Sequence, residues 1–463
     1  MKTPPINSQF LARYIIPRFI KNAANVLHLG VPLMVGQVAL VGMGVTDTIM
    51  AGQASVNDLA GLAIGNGIWL PISMFLIGLI WAISPTVAQL YGAKRYSEIG
   101  FQFQQGLWMA LGMSLVICLL MVLSLHYMDH LPIHPTVAQI SQDYLMAIVF
   151  GIPGMALFVM LRSTCEGMGS TRPTMLITLC ACLLNIPLDY AMVFGVWGFP
   201  ALGGVGCGWA TSLLYWAMFC GFLIYTRAAP SLAKSHLYRN FALPHWQSIQ
   251  SLLQLGLPIS LGVTAEVAFF SLIALFLAPL GALTIGAHQI ALNVGTLIFM
   301  IPMGMSHATG ILAAQHLGTR DAEQARFIAW SGVACAALIA GGTAIITFSC
   351  RELIVALYTQ DQIVVTMASN LLCFVALYQV LDAIQVVAWG SLRGYKDTRM
   401  PMLMQLFVYW CICFPLSYSL AYTTFWGKAF GLYGFWIGIG IALSLTALLF
   451  CARLNRISHR AIE

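Results

Sequence analysis

The chain has 463 residues, of which 60% are hydrophobic and 8% are charged. Soluble domains carry about 25% charged residues, so this composition excludes a soluble globular protein. The net charge of +6 does not indicate a nucleic-acid partner, because the basic residues are dispersed over loops and form no clustered stripe.

Twelve apolar stretches follow one another along the chain. A helix needs about 20 mostly apolar residues to cross a hydrocarbon core of about 30 Å. Transmembrane β-strands are shorter, about 10 residues, and their apolar residues alternate with polar ones. These stretches show no such alternation. We therefore predict an all-α integral membrane protein with twelve spans. Their approximate bounds are 25–51, 59–91, 103–127, 137–161, 173–196, 206–226, 248–279, 283–314, 327–349, 363–392, 400–424 and 430–452.

Other sequence signals exclude several kinds of chemistry. The segment before the first span is basic but has no compact apolar core with a cleavage site, so we expect no cleaved signal peptide. The twelve cysteines lie scattered in apolar stretches without a Cys-x-x-Cys pair, which favours packing over metal or redox roles. A Walker A glycine loop is also missing, so we expect neither ATP hydrolysis nor a cofactor.

Lys and Arg are distributed very unevenly around the spans. Nineteen of the 21 lie in the N-terminus, the even-to-odd loops or the C-terminus, and only Arg351 and Lys428 lie on the other side. Cytoplasmic loops carry an excess of Lys and Arg in membrane proteins. The pattern therefore predicts that both termini are cytoplasmic.

Three sequence blocks of the first half recur in the second at a nearly constant offset of 226 or 227 residues. Such self-similarity indicates a duplication. The paired blocks are Leu27–Pro32 with Leu253–Pro258, Gln89–Gly92 with Gln315–Gly318, and Gly167–Arg172 with Gly394–Arg399.

Six spans per half make the two repeats parallel in the membrane, since both begin on the same side. Parallel repeats with a substrate site between them near the midplane are a common transporter design. The predicted segments are a cytoplasmic N-terminus 1–24, a first lobe 25–226, a cytoplasmic linker 227–247, a second lobe 248–452 and a cytoplasmic C-terminus 453–463.

Four acidic residues lie well inside apolar runs: Asp47, Asp189, Glu266 and Asp382. A carboxylate at the centre of a membrane helix costs about 2.5–3.5 kcal/mol on insertion scales, so such residues are functional candidates. The predicted span interiors contain no Lys or Arg to neutralise them. We expect the acids either to be protonated or to bind a cation.

The polar residues around these acids suggest how a cation is held. Asn185 and Asp189 share one helical face, and Pro187 between them is expected to bend the helix and expose carbonyl oxygens. These oxygens suit a monovalent cation or a proton relay, with a simple interhelical hydrogen bond as the alternative. In the second half, Tyr378 and Asp382 are also four residues apart; a neutral acid hydrogen-bonded in the bundle is the alternative there.

Four segments resemble the multidrug and toxic compound extrusion (MATE) family, in particular its NorM-like bacterial branch. They are Val45–Gly52, Asn185–Asp189, Leu202–Gly208 and Tyr378–Lys396. The resemblance covers nearly the whole chain and both halves.

This resemblance implies an antiporter of the bacterial inner membrane, in which inward flow of sodium ions or protons drives export of small, often cationic, organic compounds. The resemblance implies that the protein binds no metal other than a sodium ion and that membrane lipid surrounds it. We expect the protein to function as a monomer. The cation site of the first lobe comprises Asp47, Asn185, Asp189 and Thr211. Gln37 is a further candidate for this site, with a hydrogen bond between helices as its alternative role. The cation site of the second lobe comprises Glu266, Tyr378 and Asp382.

Three other functions remain open from the sequence. A flippase for lipid-linked oligosaccharide or peptidoglycan precursors would need basic residues in its cavity to hold pyrophosphate, and none is predicted there. An integral-membrane enzyme would need a constellation such as paired histidines, and His126, His130 and His134 cluster only in a short connection. A channel is conceivable, although duplicated lobes with separate acids favour alternating access.

Overall fold

The computed structural model describes residues 16–125, 128, 134–239, 242–425 and 429–462, and its regular structure is helical throughout these ranges. Twelve segments of the described chain are long and apolar enough to span a membrane, which confirms the predicted all-α fold. The helices are α1 (Ile16–Ala54), α2 (Val56–Ile80), α3 (Ile83–Gly92), α4 (Tyr96–Leu125), α5 (Pro135–Gly167), α6 (Arg172–Phe194), α7 (Gly204–Ala228), α8 (Pro230–Ala233), α9 (Trp246–Leu277), α10 (Ala282–Gly318), α11 (Ala322–Ser349), α12 (Arg351–Ala356), α13 (Gln362–Gly394), α14 (Arg399–Leu406), α15 (Phe414–Tyr422) and α16 (Leu432–Arg460).

Two of the twelve spans are not continuous α-helices. The second span consists of α2 and α3, which are separated by a turn at Trp81 and Ala82. In the eleventh span a π-helical stretch, Phe407–Cys413, joins α14 to α15. Most helices also extend beyond the apolar runs that predicted them.

This extension corrects the assignment of two arginines to loops. The predicted fourth and tenth spans ended at residues 161 and 392, but α5 continues to Gly167 and α13 to Gly394. The extra turns carry Arg162 and Arg393, and both residues are buried. Each buried guanidinium has a partner one turn away on its own helix: Glu166 for Arg162 and the Trp389 ring for Arg393.

The internal repeat is visible in the backbone as well as in the sequence. Lys94 and Arg320 follow α3 and α10 at an offset of 226 residues, and both adopt left-handed conformations, with φ of 57° and 60°. Gly203 and Gly431 precede the last helix of each half with φ of 58° and 55°. Residues with a side chain rarely adopt such φ values. Positive φ angles at matched positions of the two halves therefore support the arrangement of two six-helix repeats.

The chain packs as two compact units, one of residues 35–268 and one of residues up to 34 together with 269–463. Each repeat therefore contributes the start of its first helix to the unit that holds most of the other repeat. Within the units, equivalent contacts fix these starts: the Arg18 guanidinium lies 4.5 Å from the centre of the Phe327 ring, and the His245 and Phe101 rings are 6.0 Å apart. The predicted lobe boundaries, which keep each repeat whole, stay a prediction.

Small residues bring α1, α6 and α7 together in unit 35–268. A Cβ atom on Gly36 would lie 3.1 Å from Thr178 Oγ1, and one on Gly42 would lie 3.2 Å from Cys182 Sγ. On α7, a Cβ atom on Gly206 would lie 2.8 Å from the Met192 carbonyl oxygen. Small residues let membrane helices approach closely, and this approach brings polar side chains of the three helices into contact.

Candidate functional site: a buried acidic cluster

Asp47 lies on α1 and is almost completely buried, with 5% of its surface exposed. Its two carboxylate oxygens accept hydrogen bonds from different helices. Asn185 Nδ2 on α6 donates to Oδ1 at 3.1 Å, and Thr211 Oγ1 on α7 donates to Oδ2 at 3.0 Å. The side chain thus connects three helices at one point.

Asp189 completes the cluster from the turn of α6 after Asn185. It is fully buried, and its carboxyl group lies close enough to that of Asp47 for the two to interact. Neither Asp189 oxygen has a hydrogen-bond donor, and Asn185 Oδ1 has none either. Buried polar atoms normally find partners, so three unsatisfied oxygens in one cluster indicate a site for an additional positive species.

The charges of the cluster also indicate that an additional positive species binds there. Within the described part of the chain, neither Asp47 nor Asp189 forms an ion pair. Two neighbouring carboxylates in an apolar interior cannot both stay charged without compensation. A proton on one acid or a bound cation removes this conflict, and carboxylate and amide oxygens are suitable ligands for a hard cation.

The helix that carries Asn185 and Asp189, α6, continues from Arg172 to Phe194 through Pro187. The unsatisfied oxygens of the cluster belong to side chains. A bend at Pro187 that exposes backbone carbonyls stays a prediction. Tyr144, which the sequence did not single out, is buried nearby and donates to Asn66 Oδ1 at 2.9 Å.

Gln37 lies in a different network. It is ten residues before Asp47 on α1, a separation of about 15 Å along the helix axis. Its side-chain oxygen accepts a long hydrogen bond, 3.4 Å, from Arg162 on α5. The structure therefore places Gln37 away from the cluster with which the sequence grouped it.

Arg162 and Glu166 form a buried ion pair that sequence reasoning missed. Arg162 Nε and Glu166 Oε1 are 2.7 Å apart, and their side chains are 8% and 3% exposed. Thr174 also donates to Glu166 Oε1, at 3.1 Å. The spacing of four residues on one helix was the signal for this pair; the predicted end of the span at residue 161 obscured it.

The candidate residues of the second half are distributed over both units. Tyr378 and Asp382 lie on α13 in one unit, and the half-buried Glu266 lies on α9 in the other. The Tyr378 ring stacks on that of Trp436, with centres 6.2 Å apart. A joint cation site for these three residues stays a prediction. Of the three clustered histidines, His126 and His130 lie outside the described residues.

Comparison with known proteins agrees with the architecture. The MatE family model matches residues 32–191 and again 258–419, once in each half. The chain is 43% identical to the multidrug resistance protein MdtK of Yersinia pseudotuberculosis serotype O:1b (strain IP 31758), over 95% of this chain and 96% of that protein. The same protein of Yersinia enterocolitica serotype O:8 is 42% identical over the same shares.

Solved structures show the same fold at much lower sequence identity. The eukaryotic MATE transporter AtDTX14 has a TM-score of 0.85 at 18% identity, over 96% of this chain and 99% of that one. The Vibrio cholerae MATE transporter VcmN in its bent form has a TM-score of 0.83 at 17% identity, over the same shares. With both halves matched and a relative 43% identical over almost its whole length, the chain belongs to the MatE family of multi-pass membrane proteins, the MATE family that its motifs resemble.

Proposed function

We propose that this protein is a cation-coupled antiporter that exports small, often cationic, organic compounds across the bacterial inner membrane by alternating access. The observation that carries the coupling is the pair of buried, interacting acids Asp47 and Asp189 without an ion-pair partner among the described residues. The multidrug resistance names of the relatives support drugs as the exported compounds.

The cluster couples in three steps. A sodium ion or proton enters and neutralises the acids, with the free oxygens of Asp189 and Asn185 as its ligands. Neutralisation changes the relative energy of the helix arrangement, because the hydrogen bonds of Asp47 to α6 and α7 strengthen or weaken with its charge. Release on the other side returns the acids to the charged state. A ligand drives such a change only through its different affinity for the two states.

The orientation follows from the basic residues, 19 of which lie on one side of the spans. Both termini are then cytoplasmic. Asp47, late in a helix that begins on the cytoplasmic side, lies in the outer half of the bilayer. Ions that enter from outside, down their gradient, reach the cluster there.

The buried arginines do not favour the flippase alternative. A pyrophosphate site needs basic side chains available for the ligand. The guanidinium of Arg162 is already bound to Glu166, and that of Arg393 lies 3.9 Å from the centre of the Trp389 ring. Drug export therefore agrees better with these contacts.

Transport in everted membrane vesicles tests the proposal. Ethidium and norfloxacin uptake is measured with a sodium gradient alone, a proton gradient alone, or neither. We expect uptake with at least one gradient and none without. Equal uptake with and without gradients would contradict coupling.

A second measurement tests the ion site without transport. A ligand that binds only the folded state at 100 times its Kd stabilises it by about 2.7 kcal/mol. The coupling ion should therefore raise the melting temperature of the purified protein, and Asp189→Asn should abolish that rise. A rise of the same size in Asp189→Asn would contradict the site.

A further inference from the structure

An apolar cleft lies in unit 35–268, away from the acidic cluster, between α4, α5, α7 and the segment that links the two halves. Its volume is about 140 Å³, similar to the engineered apolar cavity of about 150 Å³ that accepts benzene. Its walls include Phe103, Leu107 and Trp108 of α4, Leu157 of α5, and Phe219 and Leu223 of α7.

The cleft continues as an apolar stripe along α4. Leu111, which also lines the cleft, is followed at intervals of four residues by Leu115 and Leu119, which are 62% and 61% exposed. Residues at this spacing share one helical face. From Trp108 to Leu119 the stripe is about 16 Å long, a length that suits an extended acyl chain.

The linker closes one end of the cleft, and side chains of α4 hold its backbone there. Gln104 accepts from the Ala242 amide at 2.6 Å and donates to the Leu237 carbonyl at 3.1 Å. Trp108 Nε1 donates to the Ala242 carbonyl at 3.1 Å. The end wall of the cleft is therefore fixed.

The segment that forms this closed end is basic. Tyr238 of the linker lines the cleft, and the Arg227 guanidinium lies 5.2 Å from the centre of its ring. Lys234 and Arg239 are exposed in the same linker. Within the described ranges, none of these three cations forms an ion pair with a carboxylate. Positive charge without a carboxylate partner thus lies next to an apolar groove.

We propose that this cleft is a binding site for one anionic phospholipid, with an acyl chain along α4 and the headgroup phosphate at Arg227. The charge complementarity selects the lipid class, because basic clusters at the ends of membrane helices attract anionic headgroups. The apolar stripe supplies the rest of the contact. A neutral or zwitterionic lipid fits the groove but supplies no net negative charge to the linker cations.

Native mass spectrometry of the purified protein tests this site. Phosphatidylglycerol and phosphatidylcholine are added in equal amounts, and the bound fraction of each is measured. The wild type should retain one phosphatidylglycerol in preference to phosphatidylcholine. Arg227→Gln should weaken phosphatidylglycerol binding about tenfold, the loss expected for one charge-assisted hydrogen bond. Leu223→Trp should fill the cleft and reduce the retention of both lipids.

Matched variants separate the site from general effects. Arg460→Gln removes an exposed basic residue at the end of α16, and Leu448→Trp adds an indole at a position that is 67% exposed. Both should retain phosphatidylglycerol as the wild type does. Unchanged binding in Arg227→Gln, equal retention of the two lipids by the wild type, or equal losses in Leu448→Trp and Leu223→Trp would overturn the proposal.

Discussion

Asn185 donates a hydrogen bond to Asp47 at 3.1 Å, although 138 residues separate the two in the sequence. The bond connects the first and fifth spans of one half. Because the accepting carboxylate also binds Thr211, any change in its charge acts on three helices at once.

Asp47→Asn keeps the size of the side chain but removes its charge. If the acid couples, the variant should reach the membrane at normal levels and lose at least about tenfold of gradient-driven efflux, equivalent to 1.4 kcal/mol. Ethidium efflux under an imposed gradient measures this loss. Asp143→Asn, at an exposed position on α5, should transport normally. Normal transport by Asp47→Asn would instead assign coupling to Glu266 and Asp382.

Thr211→Val removes the hydroxyl donor to Asp47 with little change of shape. A hydrogen bond to a charged group contributes about 1.5–3 kcal/mol, so we expect a weaker stabilisation by the coupling ion, measured as a thermal shift. Thr446→Val is the control: that hydroxyl is also buried but only bonds the carbonyl of Ala442 on its own helix. Identical shifts in the two variants would refute a special role for Thr211.

Glu166→Gln should destabilise the protein strongly, because it leaves the buried Arg162 without a counter-charge. Breaking a buried pair costs about 3–5 kcal/mol. The double variant Arg162→Met/Glu166→Leu should recover most of that stability. Thermal unfolding followed by size-exclusion chromatography measures both.

The exposed pair Arg95 and Glu98 provides the comparison. Glu98→Gln should cost no more than about 1 kcal/mol. A similar small loss in Glu166→Gln would show that Arg162 does not depend on its partner.

Gly394→Ala tests the close approach of α10 and α13. A Cβ atom there would lie 2.5 Å from the Gly310 carbonyl oxygen, so the backbones must move apart. We expect a loss of about 1–3 kcal/mol, as for other overpacked sites. At Gly112 on α4 a Cβ atom meets nothing within 4 Å, and Gly112→Ala should be neutral or stabilising. Equal stability of the two variants would contradict the packing.

Reporter fusions test the orientation. Alkaline phosphatase, which is active only outside the cytoplasm, should be inactive when fused after Arg320 or Glu463 and active when fused after Thr424. The reverse pattern would invert the topology and place Asp47 in the inner half of the bilayer.

The sequence by itself determined the membrane class, the number of spans and the duplication. These properties depend on composition, on the length of apolar runs and on repeated blocks, all of which are local. It also identified Asp47, Asn185 and Asp189 as candidates, because a charge inside an apolar run is costly wherever the helix packs.

Only the tertiary structure decided which candidates meet. Gln37 and Asp47 share α1, but about ten residues of helix keep them in separate networks, and Gln37 contacts Arg162 instead. The apolar run ends before Arg162 and predicts a loop there, whereas α5 continues to Gly167 and Glu166 neutralises the charge. Whether a charged residue is exposed after a helix or buried on it depends on the partner that packing provides, and a one-dimensional pattern does not contain that partner.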